Sequence, residues 1–363
     1  MSPKKPVTAE IEETRAAAFQ KFLTKMDKER PHEILRLDDE SILEGAVGIP
    51  TGAISLDLAL GCGGFPRGRV IELYGAEGSG KTSLALSVAA NAQKQGGTVA
   101  FVDAENALTR ELTGFMGVDP HNMMLFQPNS GEDAIDVINK ILAAKAADII
   151  IVDSVAALVP TAELEAETAQ QFMGLHARMM SRWMRRVSAA VAESDTMLIL
   201  INQVRANLGA YGTPDTTTGG RAIKFYASVR IEVGTNSGKR IFNTAKDQIG
   251  HTCVATIRKN KVGMPFKKAE YDLIYGQGIS GAGSLLDVCV ELGVVTRAGS
   301  SYVDTETSER LAVGKEKAKT RIKEDPELAE RLTNKVHEIL ADPTKRPAVV
   351  ITDDDDDEEA PEE

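Results

Sequence analysis

The stretch of sequence that decides the fold is the glycine-rich octapeptide Gly75-Ala76-Glu77-Gly78-Ser79-Gly80-Lys81-Thr82. It matches the pattern GxxxxGK[ST] and lies between an apolar strand pattern over residues 69–74 and a helical pattern over residues 81–95. The glycines let backbone N–H groups curl around phosphate oxygens, and the next helix presents its positive N-terminus to the same charge. We therefore predict a nucleotide site in which Lys81 reaches the β- and γ-phosphates and the Thr82 hydroxyl ligates Mg2+.

Outward from this loop, strand and helix patterns alternate. Apolar strand patterns cover residues 98–103, 147–153 and 197–202, and helical patterns lie between them. Continuous apolar strands separated by helices predict an α/β fold with a mostly parallel sheet covered by helices. From residue 227 to residue 259 the strands become longer and alternate in polarity, which predicts an antiparallel extension of that sheet.

Two acidic residues follow apolar strand patterns and complete the predicted site. Asp153 ends the strand that begins at residue 147, and a carboxylate there can hold a Mg2+-bound water. Glu105 follows another strand at the sheet edge where α/β proteins bind ligands. A carboxylate near the γ-phosphate can deprotonate the attacking water, so Glu105 is a candidate general base. Taken alone, Asp153 also fits a strand-end cap, and Glu105 also fits a solvated surface residue.

The net charge of −11 is concentrated at the C-terminus, where nine acidic residues lie between Asp353 and Glu363. Without those nine charges the chain is close to neutral, at about −2, so basic patches on its body remain compatible with nucleic acid. The tail is too charged and too poor in apolar groups to fold. It is either a solubilising appendage or a nucleic-acid mimic that competes for the protein's own basic surfaces.

Other features of the composition favour a cytoplasmic location. No apolar run is long enough to span a bilayer, so we expect no membrane partner. The first residues do not form a signal-peptide pattern. The three cysteines, Cys62, Cys253 and Cys289, are scattered and lack metal-ligand spacing, which fits a reducing compartment.

Several stretches together resemble the bacterial RecA recombinase family. They are residues 101–105 (FVDAE), 153–158 (DSVAAL), 202–205 (NQVR), 216–220 (TTTGG), 222–230 (AIKFYASVR) and 259–261 (KNK). The resemblance covers residues 51–278 and, more weakly, the chain to residue 340. It implies a P-loop NTPase fold of RecA type and a DNA-dependent ATPase that forms a filament on single-stranded DNA and catalyses homologous pairing and strand exchange in recombination and repair.

The resemblance also implies roles for individual residues. Glu105 is expected to be the general base, and Gln203 is expected to sense the γ-phosphate of ATP and to couple it to DNA. Lys259 and Lys261 are expected to reach the ATP of the neighbouring subunit, and Tyr275 is expected to lie near the nucleotide base. The residues that the resemblance assigns to DNA are Glu163, Met173, Arg178, Arg205, Tyr211, Thr217, Thr218, Gly219, Gly220 and Arg221.

Four regions are expected along the chain. Residues 1–50 form an N-terminal helix and linker for subunit docking, and residues 51–282 form the ATPase core with its DNA-binding loops. Residues 283–345 form a small α+β domain, and residues 346–363 are the disordered acidic tail. The expected partners are single-stranded DNA, double-stranded DNA, further copies of the chain in a helical homo-oligomer, and a self-cleaving repressor. The basic run over residues 315–323 is either a solvated face or a gateway for duplex DNA.

Three other functions share parts of this pattern. A hexameric helicase or RadA-like DNA motor has the same core and the same Lys81, Asp153 and Glu105, and a closed ring with ATP but without DNA would favour it. A small-molecule kinase needs an acceptor pocket and an arginine-bearing lid, which the sequence does not offer. A nucleotide-switched scaffold would show slow, DNA-independent turnover.

Trp183 could stack on DNA, but its place in a long helical pattern favours packing.

Overall fold

The computed structural model describes residues 7–29, 46–165, 174–205, 216–217 and 220–341. The chain divides into two bodies, residues 1–47 and residues 48–363. In the first body the described residues include helix α1 (Val7–Glu29), which confirms that residues 1–50 contain an N-terminal helix.

The second body contains fifteen strands among its described residues. The strands are β1 (Gly48–Ile49), β2 (Phe65–Pro66), β3 (Val70–Gly75), β4 (Val99–Asp103), β5 (Met123–Phe126), β6 (Ile149–Asp153), β7 (Met197–Arg205), β8 (Thr216–Thr217), β9 (Val229–Phe242), β10 (Gln248–Asn260), β11 (Lys268–Ile274), β12 (Gly278–Ile279), β13 (Val295–Ala298), β14 (Ser301–Asp304) and β15 (Arg310–Val313).

The α-helices of this body lie between those strands and after them. They are α2 (Ile54–Leu60), α3 (Lys81–Lys94), α4 (Arg110–Phe115), α5 (Gly131–Ala144), α6 (Thr161–Leu164), α7 (Leu175–Ser194), α8 (Ala222–Tyr226), α9 (Gly281–Glu291), α10 (Lys315–Glu324) and α11 (Pro326–Ala341). Short 3-10 turns occupy Pro120–Asn122 and Val155–Ala157.

The main sheet has the strand order β12-β11-β10-β9-β3-β7-β6-β4-β5, with β8 paired to the end of β7. From β9 to β5 the neighbouring strands run parallel, and from β9 to β12 they run antiparallel. The structure thus confirms the predicted mostly parallel sheet with an antiparallel extension. We call these parts the parallel half and the antiparallel half.

The parallel half is buried on both faces because successive side chains point to opposite sides of a strand. Ile149 and Ile151 of β6 belong to one apolar cluster, which includes the residues of α3. Ile150 and Val152 belong to another cluster, which includes residues of α5 and α7. Trp183 packs in the second cluster with 3% of its surface exposed, which confirms packing as the role of this side chain in the subunit.

The antiparallel half differs from its predicted extent. The patterns indicated strands over residues 228–233 and 252–258, but β9 and β10 together form a long hairpin with several register irregularities. The additional residues are mostly exposed or half-exposed, so their strand pattern carries little apolar signal.

The C-terminal residues form a small α+β unit beside the antiparallel half. Helices α9, α10 and α11 and the antiparallel strands β13–β15 enclose an apolar cluster that includes Leu286, Val295 and Leu332. An ion pair joins this unit to the main sheet, with Lys319 Nζ 2.9 Å from Asp272 Oδ2. Within the described part of the chain, no helix is both long and apolar enough to cross a membrane.

Candidate nucleotide-binding site

The glycine-rich loop connects β3 to α3, as the sequence predicts. Gly75 ends β3 where a Cβ atom would lie only 2.0 Å from the carbonyl oxygen of Val233, so this position has no room for a side chain. Gly80 caps α3 with a φ of 90°, a conformation that favours glycine. The loop is therefore shaped by its glycines before any ligand is bound.

Lys81 is turned into this loop. Its ammonium donates hydrogen bonds to the carbonyl oxygens of Gly75 at 3.1 Å and Ala76 at 2.7 Å. Burial lowers the pKa of Lys81, while the nearby carboxylates of Asp153, Glu105 and Glu77 oppose that effect. The loop thus holds a cation at its centre, where phosphate oxygens gather in sites of this kind.

Thr82 and Asp153 meet at the same edge of the sheet. The Thr82 hydroxyl donates to Asp153 Oδ2 at 2.6 Å. Burial raises the pKa of Asp153 to about 6; the bond from Thr82 opposes this shift, and the charges of Glu105 and Asp103 add to it. The neighbouring hydroxyl of Ser79 is buried and has no hydrogen-bond partner in the described part of the chain.

These groups fit a nucleotide with a divalent cation. The hydroxyl of Thr82 and the carboxylate of Asp153 are oxygen ligands of the kind that Mg2+ prefers. The described residues contain no cluster of three or more potential metal-ligating His, Cys, Asp or Glu side chains. A Mg2+ ion held at this edge by Thr82 and Asp153 would take its remaining ligands from water and phosphate, which is how this ion is usually bound.

Glu105 lies just beyond β4 and is exposed. Its Oε1 accepts hydrogen bonds from the Ser154 hydroxyl and, at 3.0 Å, from Gln203 Nε2. The backbone N–H of Glu105 donates to the carbonyl of Asp153 at 3.3 Å, which ties the turn to the end of β6. The structure thus brings the two predicted residues, Glu105 and Gln203, into direct contact.

Sequence reasoning missed two residues that shape this turn. Asp103 is buried and accepts hydrogen bonds from the backbone N–H groups of Ala107 and Leu108 at 3.1 and 3.2 Å. Ser154, which follows a cis peptide bond after Asp153, holds the Glu105 carboxylate. Asp103 could have been suspected from the sequence, because it is an acidic residue at a strand end followed by a polar turn, but this signal is weak. The role of Ser154 becomes visible only when the ends of β4 and β6 are known to be neighbours.

The residues predicted to act toward another subunit lie on the antiparallel half. Lys261 is exposed, but Lys259 is half-buried, and its ammonium donates to the carbonyls of Lys224 and Phe225 at 2.8 Å each. Tyr275 is 51% exposed, and its hydroxyl hydrogen-bonds to His251 Nδ1 at 3.0 Å. Lys259 is thus bonded within its own subunit, whereas Lys261 is exposed.

The residues assigned to DNA are only partly described. Glu163 in α6, Arg178 in the first turn of α7, and Arg221 before α8 are exposed, as is Gly220. The backbone of Arg205 pairs with Thr216, and that of Val204 pairs with Thr217, in a short antiparallel ladder between β7 and β8. Met173, Tyr211, Thr218, Gly219 and the acidic tail lie outside the described residues.

A glycine-rich loop between β3 and α3, with a buried lysine and an adjacent Thr–Asp pair, defines a P-loop nucleotide-binding protein. The chain matches the model of the RecA N-terminal domain over residues 17–280 and that of the RecA C-terminal domain over residues 283–341. It therefore belongs to the RecA family.

Individual relatives agree with this assignment. A relative from Streptomyces ambofaciens named Protein RecA is 48% identical over 311 residues, which cover 85% of this chain and 81% of that protein. The Protein RecA of Frankia casuarinae is 45% identical over 331 residues, covering 90% of this chain and 93% of the relative. That of Salinispora tropica is 44% identical over 330 residues, covering 90% and 92%.

Proposed function

We propose that this chain is a recombinase that hydrolyses ATP in response to single-stranded DNA and assembles on that DNA as a filament. The observation that carries the proposal is the contact between Glu105 and Gln203 beside the phosphate loop. Gln203 lies in β7, directly before residues 204–220, which are proposed to bind DNA. A single hydrogen bond therefore links the candidate general base to the start of the DNA segment.

The residues of the site divide the reaction among themselves. The Lys81 ammonium neutralises phosphate charge as it develops in the transition state. Glu105 accepts a proton from the attacking water, and Gln203 and Ser154 orient its carboxylate. Thr82 directly and Asp153 through water would hold Mg2+, which would supply further charge neutralisation.

The lysines of the antiparallel half extend the proposal to assembly. We assign Lys259 and Lys261 to the phosphates of the neighbouring nucleotide and Tyr275 to the vicinity of the base. The half-exposed ring of Tyr275 is held by its hydroxyl, which leaves its face available for contact. Cations supplied across an interface stabilise transferring phosphoryl groups, as arginine fingers do.

Duplex DNA is a weaker candidate partner for the basic run over residues 315–323. Lys315 pairs with Asp287 at 2.7 Å, and Lys319 pairs with Asp272 at 2.9 Å. Arg321 lies 3.4 Å from Glu309. Much of the positive charge of the run is therefore balanced inside the subunit, which favours the solvated face for this run.

The experiment is an ATPase assay with and without single-stranded DNA, combined with electron microscopy. We expect turnover that rises with single-stranded DNA and helical filaments on that DNA. Slow turnover that ignores DNA would contradict the recombinase, and closed rings with ATP alone would support the hexameric motor. Both matched family models are RecA domains, which favours the recombinase over that motor.

A further inference from the structure

A fully buried carboxylate lies in the middle of the main sheet, outside the loop that binds phosphate. Glu72 is the third residue of β3, and its side chain has no exposed surface. Because strand side chains alternate, Glu72 lies on the same face as Val70, which belongs to an apolar cluster. Burying an unpaired carboxylate in such surroundings is very costly, so its partners determine what it can do.

Each oxygen of the Glu72 carboxylate has a different partner. Oε1 accepts a hydrogen bond from Asn202 Nδ2 at 3.0 Å, and Oε2 accepts one from Arg230 Nε at 2.5 Å. Asn202 is completely buried, and the side chain of Arg230 is only 13% exposed. One carboxylate thus joins β7, on one side of β3, to β9, on the other side.

Through Asn202, the Glu72 carboxylate is connected to the residues proposed for hydrolysis. Asn202 Oδ1 accepts the backbone N–H of Gln203 at 2.9 Å. The side chain of Gln203 in turn donates to Glu105 at 3.0 Å. The orientation of Gln203 is therefore fixed at its backbone by Asn202 and at its side chain by Glu105.

Through Arg230, the Glu72 carboxylate is connected to Lys259, which is proposed to act in the neighbouring subunit. Arg230 is the register partner of Glu72 between β3 and β9, and of Lys259 between β9 and β10. Burial lowers the pKa of Lys259, the positive charges of Lys261 and Arg230 lower it further, and Glu72 opposes them. Glu72 thus compensates the positive charge that Arg230 brings close to Lys259.

Stability alone does not account for this arrangement. Buried ion pairs are often no more stabilising than well-packed apolar residues of similar volume, because desolvating two charges offsets their attraction. The Glu72–Arg230 pair does, however, fix β3 and β9 in one register. It also lies between the residues proposed for hydrolysis, through Asn202, and the lysine proposed to act in the neighbouring subunit.

We infer that Glu72 is a positioning residue that couples the hydrolytic pair of one nucleotide site to the lysine that the same chain offers to the next site. The inference rests on the proposed function, since it uses the roles proposed for Glu105, Gln203 and Lys259. A shift of Gln203 toward the γ-phosphate moves Asn202, and Glu72 passes that shift to Arg230. The charge environment of Lys259 changes with it, so neighbouring sites hydrolyse in concert.

The first test is Glu72→Gln, which keeps the shape but turns one acceptor into a donor facing Arg230. We expect the DNA-stimulated kcat to fall by roughly tenfold, within the usual range of coupling between sites. The KM for ATP should stay within about twofold, since Glu72 does not contact the loop that binds phosphate. Adding Lys259→Ala to this variant should reduce kcat by a smaller factor than Lys259→Ala does in the wild type, because both changes weaken the same link.

Two further variants separate positioning from folding. Asp304→Asn removes another buried carboxylate, one that pairs with Arg331 at 2.6 Å in the C-terminal unit; it should lose stability but keep DNA stimulation. Glu72→Leu combined with Arg230→Met replaces the pair by apolar side chains. We expect the double variant to regain the thermal midpoint that Glu72→Gln loses, but not the stimulation.

The outcomes distinguish this inference from the proposed function. A wild-type protein whose turnover ignores DNA overturns the proposed function and this inference with it. A stimulated wild type with full stimulation in Glu72→Gln, or in the apolar pair variant, overturns this inference alone. Losses of kcat that add when Lys259→Ala is combined with Glu72→Gln also overturn it, because additivity means independent effects.

Discussion

The two halves of the main sheet hold the residues proposed to act on ATP in different ways. In the parallel half, side chains from different strands, turns and helices bond directly to one another, as in Thr82–Asp153 and Gln203–Glu105. In the antiparallel half, Lys259 bonds only to backbone carbonyls among the described residues, and Lys261 is exposed. The parallel half thus holds the residues proposed for hydrolysis, whereas the antiparallel half presents cations whose proposed target lies in another subunit.

The largest expected effect comes from breaking the parallel half. Glu105→Gln keeps the contact with Gln203 but cannot accept a proton, so ATP hydrolysis should fall about a hundredfold or more. Nucleotide binding, measured with a fluorescent analogue, should be retained because Lys81 is unchanged. Glu111→Gln, at an exposed position on α4, is the matched control. Near-normal turnover in Glu105→Gln would remove Glu105 from the role of general base.

The next effect tests whether the antiparallel half acts in a neighbour. Replacing both Lys259 and Lys261 by alanine should reduce DNA-stimulated turnover by on the order of a hundredfold, as the removal of a group that stabilises developing charge does. Mixed with wild type, the variant should depress activity more than dilution predicts. The control replaces Lys267 and Lys268, two exposed lysines at the start of β11. Strictly proportional dilution would show that each site is complete within one subunit.

A smaller effect is expected at Gln203, which lies between the residues proposed for hydrolysis and the segment proposed to bind DNA. Gln203→Ala removes the side chain that contacts Glu105, and with it the proposed difference between ATP and ADP. Single-stranded DNA should then bind about equally well with an ATP analogue and with ADP, a loss of about 1–3 kcal/mol of coupling. Fluorescence anisotropy with labelled DNA measures both affinities. If the difference between nucleotides persists, the coupling passes through another residue.

The smallest expected effect is on the stability of the protein and involves a largely buried carboxylate in α2, the helix that packs against β11 of the antiparallel half. Asp57 lies in α2, which packs against β11, and burial raises its pKa to about 7 despite a hydrogen bond from the Thr51 backbone. Because the folded pKa exceeds the unfolded one, the charged form destabilises the fold above pH 7, and this cost fades as pH falls toward 4.

Asp57→Asn should therefore stabilise the protein by about 1–2 kcal/mol at pH 8 and by much less at pH 5. Urea unfolding of both proteins at the two pH values gives the comparison. An advantage that does not depend on pH would mean that Asp57 is not the titrating group. Turnover at pH 8 should be unchanged, in contrast to the variants of the parallel half.

The parallel half was largely predictable because its signals are local. A strand, a glycine-rich turn and a helix follow one another within about thirty residues, and parallel strands bring their carboxyl ends to one edge. The positions of Asp153 and Glu105 follow from that rule. The contact of Glu105 with Ser154 depends on which strands are neighbours, and no local pattern in the sequence specifies the pairing of β4 with β6.

The contacts of Glu72 and those of the antiparallel half were less predictable because both depend on which residues of neighbouring strands lie opposite each other. Glu72 is a charged residue in an otherwise apolar strand, which is itself a sequence signal of a buried polar contact. Its partners Asn202 and Arg230 are 130 and 158 residues away in the chain. Likewise, the bonds from Lys259 to the end of α8 depend on the pairing of β9 with β10, which the alternation of polarity leaves open.

The close approach of Gly75 to Val233 has a mechanical consequence. Since even one carbon atom cannot fit between them, the start of the phosphate loop rests directly on β9. Force applied at the phosphate end of the loop cannot be absorbed by compression at this point, because the two backbones are already in contact. A displacement of the loop toward β9 would therefore be transmitted to β9 and its hairpin partner β10, with Gly75 as the point of contact.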